Sequence, residues 1–301
     1  MIKQSVLTLG NFDGVHLGHR KLISYLVGIA QNENLQSVAI SYTDHPAFTL
    51  QTKPKLQVLC SASRKKRELH SLGVEQVELL RFTPELANTS AESFLREYLI
   101  PVWHPKVIVM GYDSHFGHQR CGDYDFLLEH SVELGYRVEY VEPLMHEAKV
   151  ISSSYIRELL CAGRIGAANE LLVKPYCLEG EIGHGIGKGT SFGFPTANLD
   201  LSNPHQLIPK TGIYFSRAVL ESGRFFGLTN IGSSPTVKQT GIIEIETYIL
   251  DFSASLYGQS MEVELLEYLR EEKMFGSIDM LISAMQQDLK KAEALTKVYL
   301  Q

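Results

Sequence analysis

Apolar residues crowd the segment "SVLTL" at Ser5–Leu9, and glycines break the pattern between Gly10 and Gly18. A short, dense apolar run followed by a glycine turn predicts a buried strand. Behind the turn, Leu22, Ile23, Leu26, Val27 and Ala30 recur at three- and four-residue spacing, which predicts a helix with one apolar face. Further short apolar runs, "SVAISY", "QVELLRF", "KVIVMGY" and "RVEYVEPL", alternate with helix-like segments such as "SAESFLREYLI" and "FLLEHSVELG". Strands alternating with helices need crossover connections, so the first half is expected to be a doubly wound α/β domain on a parallel sheet. Ligands in that architecture sit beyond the carboxyl ends of the strands, where "GNFDGVHLGH" and "GYDSHFG" both fall.

The texture changes near residue 175. "SSYIRELLCAGRIGAANELL" reads as helix, and "KPYCLEGEIGHGIGKG" then interrupts it with proline and many glycines. A domain boundary is expected there, giving domains 1–174 and 175–301. Beyond it, "GIYFSRAVL", "RFFGLTNIG", "IEIETYIL" and "SMEVELLEYL" are strand-like and joined by glycine turns, one of them at Glu221–Gly223. A small antiparallel β-barrel is the expected result. In the last segment Ser277 suits an N-cap, and Leu281, Met285, Leu289 and Ala292 share one face. A closing helix packed on the barrel follows.

Composition adds exclusions more than assignments. A chain of 301 residues exceeds the size at which a single core stops growing, consistent with two domains of roughly 150 residues each. The 44% hydrophobic and 21% charged residues are those of ordinary globular chains. A net charge of -6 offers no basic footprint, so no nucleic-acid partner is expected. Cys60, Cys121, Cys161 and Cys177 form no CxxC pair, which argues against a zinc or thiol-redox motif and for reduced thiols. No apolar run approaches the roughly 18 residues of a membrane span, and Asp13 interrupts the N-terminal run too soon for a secretory segment. A cytoplasmic protein with no membrane partner is expected.

His16 and His19 flank Gly18 where the chain passes from turn to helix. Free N–H groups and the helix dipole favour an anion there, and two imidazoles three residues apart can add donors to the same phosphate. The same spacing also suits a metal pair or two surface histidines. Gly18 permits close approach of backbone to ligand, and "ISSSYIR" at Ile151–Arg157 supplies hydroxyls and a guanidinium at another helix start.

"GNFDGVHLGH" resembles the G-x-F-D-G-x-H-x-G-H signature of the adenylyltransferase module of bacterial bifunctional riboflavin kinase/FMN adenylyltransferases, the FAD synthetases. "ISSSYIR" resembles their I-S-S-T-x-I-R, with Ser154 for Thr, and "GYDSHFG" resembles G-x-D-F-x-F-G, with Ser114 where an aromatic residue is usual. The resemblance implies a Rossmann-like nucleotidyltransferase fold. His16 and His19 would hold ATP phosphates, with Gly10, Phe12 and Gly18 of the same turn also binding ATP. Ser153, Ser154 and Arg157 would steady the leaving pyrophosphate, and Asp113 would contact the flavin. Such transfer needs in-line positioning and charge stabilisation more than a covalent nucleophile.

The glycine-rich run Gly183–Gly189 is no Walker A loop, because Gly189 stands where Ser or Thr must follow the lysine. A flexible linker is the plain alternative. Next comes "GFPTANLD", in which Thr196 and Asn198 face the same way if the chain is extended. Two neutral oxygens together with phosphate and water oxygens suit Mg²⁺. This segment resembles the P-T-A-N motif of riboflavin kinases. The family usually has Arg and Leu where Thr190 and Phe192 stand. By this resemblance Thr196 and Asn198 would hold Mg²⁺, and Gly185, Gly187 and Lys188 would cradle ATP phosphate. "IEIETYILDF" resembles E-x-H-x-x-D-F, with Tyr248 at the His position, so Glu246 would accept the proton of the terminal ribityl hydroxyl. A solvent-facing strand carboxylate is the alternative for Glu246. "TNIGSSPT" resembles N-I-G-x-R-P-T, with Ser234 for Arg. Riboflavin, FMN and ATP are the implied small-molecule substrates, with Mg²⁺ as the cofactor.

Overall fold

Strand β1 (Ser5–Leu9) lies at the centre of a five-stranded parallel sheet of order β3-β2-β1-β4-β5 in the computed structural model, which describes residues 3–53, 55–183, 194–233, 243–252, 254 and 256–300. Its partners are β2 (Gln36–Tyr42) and β4 (Pro105–Gly111), with β3 (Gln76–Leu80) and β5 (Arg137–Val141) at the edges. Strand order reverses across β1, so its carboxyl end opens the switch-point crevice of the sheet.

Residues alternate between the two faces of each strand. Val6, Val107 and Val109 pack against Leu22, Ile23, Leu26 and Ala30 of helix α1 (Leu17–Glu33). Leu7, Leu9, Ile40, Ile108 and Met110 meet Phe94, Leu95 and Leu99 on the opposite face. The predicted helix at residues 90–100 is a composite: a wide π-turn, Phe94–Leu99, joins two short α-turns. Pro101 accounts for it, since proline has no N–H to donate and its ring would crowd the carbonyl four residues back. The Ile100 N–H bonds Leu95 O instead. A short ribbon, β6 (Met145–His146) and β7 (Lys149–Val150), follows β5.

The chain divides into two compact units, Met1–Tyr155 and Ile156–Gln301. In the second, β8 (Tyr176–Gly183), β9 (Thr196–Leu201), β10 (Gly212–Leu220), β11 (Gly223–Ser233), β12 (Ile243–Ile249) and β13 (Ser260–Arg270) close a barrel of order β10-β11-β12-β9-β8-β13. Every neighbouring pair in it is antiparallel. The turn expected at Glu221–Gly223 joins β10 to β11, which pair Leu220 with Gly223. The closing helix, Ile278–Tyr299, carries the expected Ser277 cap, whose Oγ accepts the Met280 N–H at 3.3 Å. It buries Ala292 against Phe215 and Leu266. Asp288, also buried, receives Arg270 in an ion pair of 2.7 Å.

A glycine at residue 163, with φ of +76°, breaks the helical stretch before the barrel into Ser153–Cys161 and Ile165–Leu172. The second piece belongs with the barrel. It buries Ile165, Ala168, Leu171 and Leu172. Its Asn169 clasps two strands, since Nδ2 donates to Leu265 O at 2.9 Å while Oδ1 accepts the Tyr176 N–H at 2.7 Å.

Candidate functional site

The turn from β1 into α1 holds an uncommon backbone. Phe12 and Val15 both take left-handed φ, of 49° and 41°, and Gly14, between them, stands at 80°. Phe12 and Val15 are core residues, so apolar burial offsets the strain of these conformations. Gly10 makes room for the fold-back: a Cβ there would stand 2.9 Å from the Phe12 ring. That ring lies edge-on to His19 with 5.3 Å between centroids.

His16 is the N-cap of α1, and its Nδ1 accepts the His19 N–H at 3.4 Å. An accepting Nδ1 leaves the proton of the neutral ring on Nε2. The rings of His16 and His19 stack with centroids 3.6 Å apart. Burial, then the neighbouring His16 and then Lys65, hold the His19 imidazole well below its ordinary pKa. Its Nδ1 is buried with no hydrogen-bond partner among the described residues. His19 is therefore a neutral ring at a helix N-terminus, stacked on the histidine that caps it.

Gly18 packs closely on two neighbours, since a Cβ there would meet the His16 ring at 3.3 Å and Ile151 O at 3.4 Å. The serine segment is tied in by a bond from Ser153 Oγ to Asp13 O at 2.9 Å. Ser152 Oγ accepts the Tyr155 N–H at 3.3 Å, and Ser154 is exposed. Arg157 lies one turn beyond Ser153 on the same helix. Asp113, exposed just past the end of β4, sits in a turn where Ser114 Oγ accepts the Gly111 N–H at 3.1 Å. Its carbonyl accepts from Arg120 Nη2 at 3.4 Å.

Beneath the turn lies a set of groups that residue patterns do not announce. Buried Asp13 accepts from the N–H groups of Leu59, at 2.8 Å, and Cys60, at 3.2 Å. Burial and this carboxylate push the Cys60 thiol up to about 12, so it stays protonated. Lys65, 4% exposed, donates to Ser41 Oγ at 3.2 Å and to Tyr42 O at 3.0 Å. Ser41 Oγ in turn donates to Asn11 O at 3.0 Å. A buried ammonium is thus wired to the histidine turn. Replacing Lys65 by Met removes a positive neighbour and makes His19 easier to protonate. Its titration midpoint, followed by NMR of the ring, is expected to rise, and an unmoved midpoint would refute the coupling.

In the barrel, directly opposed residues of an antiparallel ladder share a face. Asn230 of β11, Glu246 of β12 and Asn198 of β9 stand in one such row. Thr196 lies two residues from Asn198, on the same face, and pairs with Tyr248. The alternate residues point inward: Ser216, Thr229 and Thr247 are fully buried and joined by hydroxyl contacts of 2.7 and 2.9 Å. Thr196, Asn198 and Glu246 therefore converge on one outer patch. Partial burial raises the Glu246 carboxyl above its ordinary range, with Glu244 and Glu272 adding to the effect. The Glu272 carboxylate lies over Gly232, where any side chain would collide with it. Gly185, Gly187 and Lys188 lie outside the described residues, as do Thr190, Phe192 and Ser234.

The family model described as FAD synthetase matches residues 1–155, and that described as riboflavin kinase matches residues 172–296. A bifunctional riboflavin kinase/FMN adenylyltransferase from Listeria monocytogenes is 32% identical over 284 residues, covering 94% of this chain and 90% of its own length. Its namesake from Haemophilus influenzae is 33% identical over 296 residues, covering 98% of this chain and 95% of its own. A crystal structure described as that of a macrolide-efflux protein from Streptococcus pneumoniae superposes with a TM-score of 0.87 at 28% identity. It covers 97% of this chain and 95% of that one. Among the described residues no helix is long and apolar enough to cross a membrane.

Proposed function

The chain belongs to the bifunctional riboflavin kinase/FMN adenylyltransferase family, and from that premise we propose which of its residues carry each reaction. It phosphorylates riboflavin to FMN and adenylylates FMN to FAD, using ATP in both steps. Adenylylation is assigned to residues 1–174 and phosphorylation to residues 175–301.

In the kinase, Glu246 takes the proton from the terminal ribityl hydroxyl as its oxygen attacks the γ-phosphorus of ATP and ADP leaves. The observation that carries this reading is the register opposing Glu246 to Asn198, with Thr196 on the same face. The side-chain oxygens of Thr196 and Asn198 are neutral and hard, a set that fits Mg²⁺ completed by phosphate and water oxygens. Bound there, Mg²⁺ would neutralise charge on the phosphates. A raised Glu246 pKa suits a base, because the proton is held more firmly once taken. Lys188, with Gly185 and Gly187, is assigned to the ATP phosphates on resemblance alone.

In the adenylyltransferase, an FMN phosphate oxygen attacks the α-phosphorus of ATP and pyrophosphate leaves. The N–H groups at the start of α1, with the imidazole donors of His16 and His19, stabilise the charge that develops on the phosphate oxygens. Ser153, Ser154 and Arg157 receive the pyrophosphate, and Asp113 meets the flavin. Gly10 and Phe12 hold the histidines in place. The four cysteines are free thiols, which supports a cytoplasmic setting.

Incubating the protein with riboflavin and Mg²⁺-ATP and separating the flavins tests the reading, with FMN and then FAD expected. Fragments divide the labour. One beginning at Gly163 keeps the Asn169 clasp and is expected to make FMN but no FAD, whereas one beginning at Pro175 loses the clasp and melts at lower temperature. A folded Gly163 fragment without kinase activity would refute the assignment of phosphorylation to the barrel.

A further inference from the structure

Glu246 has a neighbour on each side in its cross-strand row, and only Asn198 has been given a task. The other is Asn230. Its side-chain oxygen is buried and has no hydrogen-bond partner among the described residues. Leaving a buried acceptor unpaired is unfavourable, and such groups in folded proteins are normally satisfied by a partner or reserved for one. Asn230 stands beside a carboxylate on an outer, partly exposed face, so the missing partner can come from solution.

The row also has a direction. Thr196 and Asn198 mark the metal and phosphate side of Glu246. In-line transfer places the attacking oxygen near Glu246 with the phosphorus on one side of it. The carbon chain carrying that oxygen must leave on the other side, toward β11. Asn230 lies there, with Cβ atoms of opposed residues about 5 Å apart, a spacing that one hydroxylated carbon of the acceptor can bridge. The next residue on that face, Gly232, has no side chain to compete for the space, and Glu272 lies over it.

We propose that Asn230 is a specificity-determining residue of the kinase site, pairing through its side-chain amide with the acceptor hydroxyl adjacent to the one phosphorylated. The ligand class it selects is a polyhydroxylated alkyl chain, as opposed to a simple alcohol. A hydroxyl both donates and accepts, so it suits the amide in either orientation. The inference rests on the reading of Glu246 as the base.

The test compares riboflavin with its analogue lacking the ribityl hydroxyl next to the phosphorylated one, using kcat/KM of the full-length chain. The wild type is expected to prefer riboflavin about 10- to 100-fold, because the analogue leaves the buried amide unpaired. Asn230→Ala is expected to lose that factor on riboflavin and little on the analogue, bringing the preference to within about threefold. Asn230→Ser, which keeps a hydroxyl, is expected to restore part of it, and thermal melts check that both variants fold. A wild type that does not discriminate, or an Ala variant that discriminates as well as wild type, overturns the proposal. Glu246→Gln separates the two readings: it should slow both flavins alike and leave their ratio intact. Full turnover in that variant would sink the base while leaving the Asn230 comparison to be decided by its own ratio.

Discussion

Replacing Glu246 by Gln is expected to lower riboflavin phosphorylation about 10²- to 10⁴-fold, the usual contribution of a general base. The amide keeps the volume and can still accept a hydrogen bond from the hydroxyl, yet it takes no proton at neutral pH. Riboflavin and ATP affinities should change little, and adenylylation of supplied FMN should persist. The same variant is expected to be more stable than wild type. The folded-state pKa of Glu246 lies above its ordinary 4.5, so ionisation at neutral pH opposes folding. That penalty is absent below the ordinary pKa and grows as pH rises through the folded one. The gain in melting temperature should therefore be present at neutral pH and vanish toward pH 4. A variant that is less active and less stable would point to misfolding, and near-normal turnover would return Glu246 to the ranks of surface carboxylates.

Replacing His19 by Ala is expected to reduce adenylylation by about 2 to 4 kcal/mol of transition-state stabilisation, the scale of losing one preorganised donor to a developing charge. FMN should accumulate from riboflavin, because the kinase chemistry is assigned to the other unit. Burial, His16 and Lys65 all depress the His19 pKa, so in the wild type the ring stays neutral as pH falls through its usual 6.5. Adenylylation should show no loss attributable to His19 near that value. Unchanged FAD production in the Ala variant would show that His19 is only a partner for the Phe12 and His16 rings.

Local spacing carried what the sequence made legible. The strand and glycine turn at Ser5–Gly18, the apolar stripe of α1 and the Ser277 cap each involve neighbours along the chain, and each is present in the structure. Thr196 and Asn198 were readable as one face because strands alternate. The rest needed distant partners. Lys65 sits in "SRKKREL", which reads as a solvated charge run, yet it is buried, with Ser41 and Tyr42, from a strand more than twenty residues earlier, accepting its hydrogen bonds. A clue existed in its position three residues past the start of a helix capped by Ser61, where one face of a charged helix must meet the sheet. Asn169 looks like any polar helix residue until strands β8 and β13 present a donor and an acceptor to it. The alignment of Asn230 with Glu246 depends on how β11 pairs with β12, and no periodicity within either strand encodes it. The π-turn at Phe94–Leu99 was signalled by Pro101, but its width was not.

Thr229 and Thr247 of the hydroxyl ladder and Asn230 and Glu246 of the polar row lie on opposite faces of β11 and β12. A one-residue slip would exchange them. The slipped barrel would turn a carboxylate into its interior and present threonines to the solution, and burying that charge costs far more than the slip could recover in apolar contacts. Glu246 therefore weighs against mispaired strands. Chains that close the barrel out of register are disfavoured by the same glutamate proposed as the base, so Glu246→Gln, while steadying the native fold, should also relax this discrimination and yield more misfolded chain on refolding.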